Sequence, residues 1–164
     1  MAPDPVTLSL LISLDEAFDR RSWHGPNLRG SLRGLSVKQA IWRPGRGRHN
    51  IWETTVHAAY WKYAVRRRLL GEKRGSFALK GSNWFPSPAR PTEAGWKQAI
   101  ALLVSEHRRL REGIVASHAS GREVAGHGPR ERTLRLVRGL VAHDLYHAGQ
   151  IQLLKRLAPA GKGA

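Results

Sequence analysis

The chain has 164 residues, no cysteine, and 28 Lys+Arg against 12 Asp+Glu, for a formal net charge of +16. This length suits one domain with a core of its own, and the lack of cysteine excludes disulfides. The N-terminus carries no basic run, and the apolar stretch 8–14 is short and broken by Ser9 and Ser13, so neither signal peptide nor membrane span is expected and the expected setting is cytoplasmic.

A first helix is expected over residues 7–21, with Leu8, Leu11, Ile12, Leu14 and Phe18 forming a broad apolar face that Gly25-Pro26 closes. A connector with one or two short helices follows, in which Ser36 and Gln39 have the spacing of a capping box. It ends in Arg43-Pro44-Gly45-Arg46-Gly47, a loop by its glycine and proline content. A second long helix starts at Asn50, a good N-cap with Glu53 three residues on, and runs to about residue 70, before Gly71. Residues 71–91 form a long loop, of a length that often serves as lid or pocket wall, and Trp84-Phe85-Pro86 is expected to pin it to the body. A third helix over 92–117 carries Trp96, Ile100, Leu103, Leu110 and Ile114. The polar, glycine-containing stretch 119–129 is expected to be mobile. A fourth helix covers 130–157, with Leu136, Leu140, His143, His147, Ile151 and Leu154 spaced by three and four. No strand-like alternation and no repeat is present. The pattern predicts an all-α four-helix bundle with long inter-helix connections over residues 1–157, and a disordered tail over 158–164.

The charge raises nucleic acid as a partner, and residues 20–51 hold eight Lys/Arg and no acid. The arginines are otherwise scattered along the chain, which predicts no sequence-specific nucleic-acid binding. A small anionic substrate, or a merely solvated basic surface, fits the basicity better; for a substrate, Arg29, Arg33, Arg43, Arg46 and Arg48 are the expected contacts.

Three histidines carry most of the chemistry. His143 and His147 stand four apart and project from one face of the fourth helix, on its core stripe. Imidazole nitrogen suits zinc, nickel and iron, and a pair one turn apart can grip one cation. The spacing parallels the zincin pair, with Asp144 at the position of the zincin Glu, but no His, Asp or Glu follows His147. A third side-chain ligand must then lie upstream, and His57 on the second long helix is the best candidate. Ligand imidazoles must be deprotonated, so affinity is expected to fall near the ordinary histidine pKa of roughly 6.5. The other histidines, His24, His49, His107, His118 and His127, read as surface residues. Glu53 reads foremost as the capping partner of Asn50, with a supporting role to His57 as the alternative. Asp144 is a candidate to orient a ligand imidazole, and Gln150 to face the site. Tyr60 and Tyr146 either line the cavity or pack. Gly149 is expected to allow close helix approach, Trp52, Trp61 and Trp96 to be core, and Arg66-Arg67-Arg68 to be a solvated helix end.

Two runs together resemble a known family: Asn50-Ile-Trp-Glu-Thr-Thr-Val-His57-Ala-Ala-Tyr-Trp61, and His143-Asp-Leu-Tyr-His147-Ala-Gly-Gln150-Ile. With Leu35-Ser36 through Ile41-Trp42-Arg43-Pro44, and with Trp84-Phe85-Pro86, they make the chain similar to the DinB-like (YfiT-like) superfamily of metal-dependent enzymes over most of its length. The resemblance implies a four-helix bundle, often a homodimer, with one divalent metal on three histidines, here His57, His143 and His147. It implies zinc or nickel foremost, then iron or manganese. Some relatives transfer or isomerise with a low-molecular-weight thiol, so a metal-dependent hydrolase or thiol S-transferase is the expected activity. The strong basicity departs from the family's expected composition. Two rival readings are a bundle that binds metal without catalysis and a basic nucleic-acid-binding protein.

Overall fold

The computed structural model describes residues 3–120 and 129–159. Among these residues there are six helices and no strand: α1 Pro5–Phe18, α2 Leu28–Ser31, α3 Val37–Ile41, α4 Ile51–Leu70, α5 Glu93–Ser120 and α6 Pro129–Leu157. The four long helices are those expected from the periodicity, and α2 and α3 are the short helices of the connector. Part of the 119–129 stretch expected to be mobile, residues 121–128, lies outside the described residues, as do 160–164 of the expected tail. Ala158, the first residue of that tail, is buried and continues the helical hydrogen bonding onto the Leu154 carbonyl.

Local chemistry sets the helix ends. Asp4 accepts from the Val6 and Thr7 N–H groups, and Pro5 supplies a preset φ at the first turn of α1. Ser36–Gln39 and Asn50–Glu53 both form reciprocal capping boxes, which start α3 and α4. Gly71, at φ 69°, ends α4 in the left-handed conformation that a side chain would strain.

Helix α1 is shorter than expected, ending at Phe18, and its buried face is turned. Thr7, Leu10, Leu11, Leu14, Ala17 and Phe18 face inward, whereas Leu8 and Ile12 are about half exposed. The inward set follows the i, i+3, i+4, i+7 pattern of one narrow stripe, which excludes Leu8 and Ile12.

Helix α4 packs against α5 and α6, and α1 against α6 and α5. The apolar core has two parts. One gathers Phe18, Leu28, Ile51, Trp52, Trp96, Leu103 and Ile151, and the other Leu10, Leu14, Val65, Leu110, Ile114 and Val137. Charged and polar groups are also fully buried in the bundle: Lys62 pairs with Asp144, and Glu106 is reached by Arg109. His107 belongs to this interior too, against expectation. It is 6% exposed, stacks on Phe18 at 3.8 Å and lies 3.2 Å from Asp15. His107 falls on the inward stripe of α5, between Leu103, Leu110 and Ile114, so its helix position outweighed its polarity. Arg66 is likewise no solvated end: its side chain is 11% exposed and bonds Glu72. Gly149 faces open space rather than a neighbouring helix.

The loop between α4 and α5 is fastened along α4. Phe77 and Phe85 pack edge-on and tilted against Tyr60 and Tyr63, which places Tyr60 in this aromatic cluster. At its far end the Ser87 N–H donates to Glu53, and Asn50 donates to the Ser87 hydroxyl. The run Trp84-Phe85 therefore lies against α4, with Trp84 over His57 and Phe85 against Tyr60.

Candidate metal centre

His57 lies in the second turn of α4, and His143 and His147 lie one turn apart on α6. The Nε2 atoms of His57 and His143 are 3.0 Å apart, and those of His147 and His143 are 3.1 Å apart. A tetrahedral zinc with Zn–N bonds of about 2.0–2.1 Å would set its ligand nitrogens about 3.3 Å apart, close to this spacing. Among the described residues the three histidines form the group with metal-holding geometry.

The outer nitrogens decide what the inner ones can be. His57 Nδ1 is 2.8 Å from the Asn83 carbonyl, which can only accept, so that nitrogen donates and Nε2 keeps its lone pair. His147 Nδ1 is 2.7 Å from Gln150 Oε1, and the Gln150 amide donates onward to the Tyr146 hydroxyl. His147 Nε2 therefore also carries a lone pair. The three inward nitrogens can share one proton at most, which His143 would supply to one neighbour, leaving the other facing an unmatched lone pair. Such an arrangement fits a cation.

Burial reinforces this. His57 and His147 are 5% and 3% exposed. Desolvation pushes His57 down to about 4 and His143 down to about 3, with the neighbouring imidazoles adding to both shifts. His147 is lowered by burial against the opposing bond to Gln150. All three imidazoles are neutral near pH 7, the form that binds metal.

The surroundings were only partly legible. Asn83 is the single non-glycine residue with positive φ among the described residues, at 64°. In that conformation its carbonyl meets His57 and its side chain accepts from the Trp61 indole at 3.0 Å. Trp84 stacks on His57 at 3.8 Å and on His49 at 3.5 Å. Asn83 and Trp84 carry no ligand chemistry; Trp84 was marked in the sequence as part of the pinning run Trp84-Phe85-Pro86, and Asn83 only by its place in a loop rich in Gly and Pro. Asp144 does not orient a ligand imidazole: it is fully buried and pairs with Lys62. Lys62 had one signal, a charge at a core position of α4 between Ala58 and Val65. Glu53 bonds Arg43, His49, the Asn50 N–H and the Ser87 N–H. Burial alone would raise the Glu53 carboxyl, but Arg43, His49 and the Ser87 N–H win and hold it at about 2.

A cavity of about 770 Å³ opens beside the cluster between α4 and α6, with His143 and the half-buried Trp61 in its wall. None of the five arginines expected to bind an anion lines it. Arg29 pairs with Asp19, Arg43 with Glu53, and Arg33, Arg46 and Arg48 are exposed elsewhere. His24 is exposed as expected, and His49 is partly so; the side chains of His118 and His127 lie outside the described residues.

The fold and this cluster define a helical-bundle protein with a three-imidazole centre. The chain belongs to the DinB superfamily, whose family model matches residues 20–151, and members of that superfamily typically bind metal. No curated protein and no solved structure matches significantly. No helix among the described residues is long and apolar enough to cross a membrane.

Proposed function

We propose that the chain holds one divalent ion on His57, His143 and His147 and serves as a metal-dependent hydrolase or thiol S-transferase. The observation that carries this reading is the convergence of three neutral imidazole nitrogens, two of them with lone pairs fixed inward by bonds on their far side. All-imidazole coordination suits zinc or nickel best, then iron, and manganese least. When bound, the ion would supply Lewis acidity toward a water or a thiol.

The chain's own residues do the rest. Asn83 and Gln150 orient two of the rings, as acceptors behind ligand histidines commonly do. Trp84 covers the His57 face and keeps water from it. The cavity at His143 admits a small-molecule substrate, and the three-histidine set leaves coordination positions for it, unlike the four protein ligands of structural zinc. A reducing, cytoplasmic setting suits a thiol co-substrate.

Metal content after purification and zinc or nickel loading tests the reading. Wild type is expected to hold one ion per chain, and His57→Ala, His143→Ala and His147→Ala to lose most of it. His24→Ala, at an exposed position away from the cluster, is expected to match wild type. Equal metal in wild type and all three ligand variants would overturn the assignment.

A further inference from the structure

The cavity beside His143 has a charge pattern that the three-histidine reading does not use. Its wall next to the cluster is apolar, with Trp61, Val65, Leu136 and Leu140. Arg68, Arg132 and Arg135 also line it, against one carboxylate, Glu131, which is itself engaged. Arg68 stands over the Trp61 ring at 5.6 Å. For Arg132 and Arg135 no ion pair is present among the described residues.

Helix geometry orders these groups. Arg68 is eleven residues on from His57 in α4, and Arg132 is eleven residues back from His143 in α6, so the two helices run antiparallel along the cavity. At a rise of about 1.5 Å per residue, Arg135 and Arg132 lie roughly 12 and 16 Å along α6 from His143. They are three apart and share a face, and their side chains lean toward the start of α6, away from the histidines. The positive end of the helix dipole lies there as well.

We propose that this cavity binds an amphipathic carboxylate in a fixed direction. Arg132 and Arg135 take the carboxylate head, Val65, Leu136 and Leu140 pack its apolar body, and the opposite end is presented at His143. Guanidinium pairs match carboxylates with two parallel hydrogen bonds, and the volume falls in the range of small-molecule sites. The substrate class of the proposed enzyme is thereby a carboxylate whose reacting group sits about a dozen ångströms from its charge, as the helix rise requires. The identity of the reacting end rests on the metal reading; the binding does not.

Decanoate, whose chain approximates this length, is the probe, and calorimetry on metal-free protein is the measurement. Wild type is expected to bind decanoate with much higher affinity than 1-decanol or acetate. The double variant Arg132→Gln/Arg135→Gln is expected to lose at least tenfold, about 1.4 kcal/mol, for decanoate and to leave 1-decanol unchanged. Leu136→Trp, which fills the cavity, is expected to lose both. Arg46→Gln/Arg48→Gln, on the exposed loop before α4, is expected to bind as wild type. Thermal melts confirm that each variant is folded. His147→Ala, whose side chain does not line the cavity, is expected to keep decanoate binding within threefold while losing metal, so failure of the metal site and failure of the carboxylate site read out separately. No decanoate binding, equal affinity for decanoate and 1-decanol, or undiminished binding in the Arg132/Arg135 variant would overturn the proposal.

Discussion

His143 is the imidazole that the protein leaves least constrained. Its Nδ1 is buried without a hydrogen-bond partner, whereas His57 and His147 are each fixed from behind. Its one inward nitrogen lies within reach of both other rings, so His143 takes the shared proton when no cation is present. Burial sets where acid competes. With His57 held at about 4 and His143 at about 3, protons compete with metal well below the ordinary histidine range. The sequence alone pointed to roughly 6.5, the value for a solvated ring. Zinc retained after dialysis at stepped pH is therefore expected to hold as pH falls through 6.5 and to drop only toward 4; release centred at 6.5 would contradict the buried geometry. The same shifts act on the metal-free fold. Between about 3, the His143 value, and 6.5 the unfolded chain binds protons that the folded histidines do not, so stability rises with pH across that window and is lost as pH falls through it.

Helix α4 carries His57 and ties the site to the loop that follows it. Its N-cap, Asn50, bonds the Glu53 N–H at 2.8 Å and also donates to the Ile41 carbonyl and the Ser87 hydroxyl. One side chain thus starts the helix, ties it to the end of α3 and anchors the loop that carries Asn83 and Trp84. Asn50→Ala is expected to cost about 2 kcal/mol, the upper end for a lost cap, because the buried ties go with it. Asn50→Asp keeps the capping acceptor but not the donor, and its cost is expected to be smaller. Urea denaturation of both variants checks this, and an Asn50→Ala protein within 0.5 kcal/mol of wild type, about the span of an ordinary surface change, would count against it. Loosening the loop is also expected to weaken metal binding, since Asn83 then holds His57 less firmly.

At the scale of the molecule, the bundle interior contains an ion pair that supports α4 against α6, with Asp144 between the two α6 histidines in sequence. Lys62 and Asp144 are both fully buried, and the Lys62 ammonium also lies 4.7 Å from the centre of the Phe18 ring. Burial pushes the Asp144 carboxyl up, against the pull of the Lys62 ammonium. Removing one partner leaves the other charge stranded, so Lys62→Met is expected to destabilise by about 3–5 kcal/mol, whereas Lys62→Met/Asp144→Leu is expected to recover most of that. Denaturant melts decide this, and equal stability of single and double variants would sink it. Association is the other whole-molecule property. Leu8 and Ile12, half exposed one turn apart on α1, leave apolar side chains at the surface, as do Leu153 and Leu157 on α6. We expect a homodimer; light scattering that returns a monomer mass at micromolar concentration would remove that expectation.

The helical class, the four long helices, two capping boxes and the pairing of His143 with His147 are all written locally. Each depends on residues three, four or seven apart, a distance over which helix geometry alone fixes which side chains are neighbours. That His57 meets them is a long-range fact, suggested by composition and family resemblance but set by α4 packing against α6. Tertiary structure alone decided the rest. It turned the α1 stripe inward without Leu8 and Ile12, buried His107 on Phe18, gave Asp144 to Lys62 rather than to an imidazole, and tied Arg43 to Glu53. It also brought Arg68 of α4 together with Arg132 and Arg135 of α6 around one cavity, a meeting that sequence spacing does not give. For the polar and charged groups among these the physical reason is common. A charged or polar side chain finds its partner across helices, to satisfy a buried group or line a cavity, and periodicity says which face it occupies but not what that face will meet.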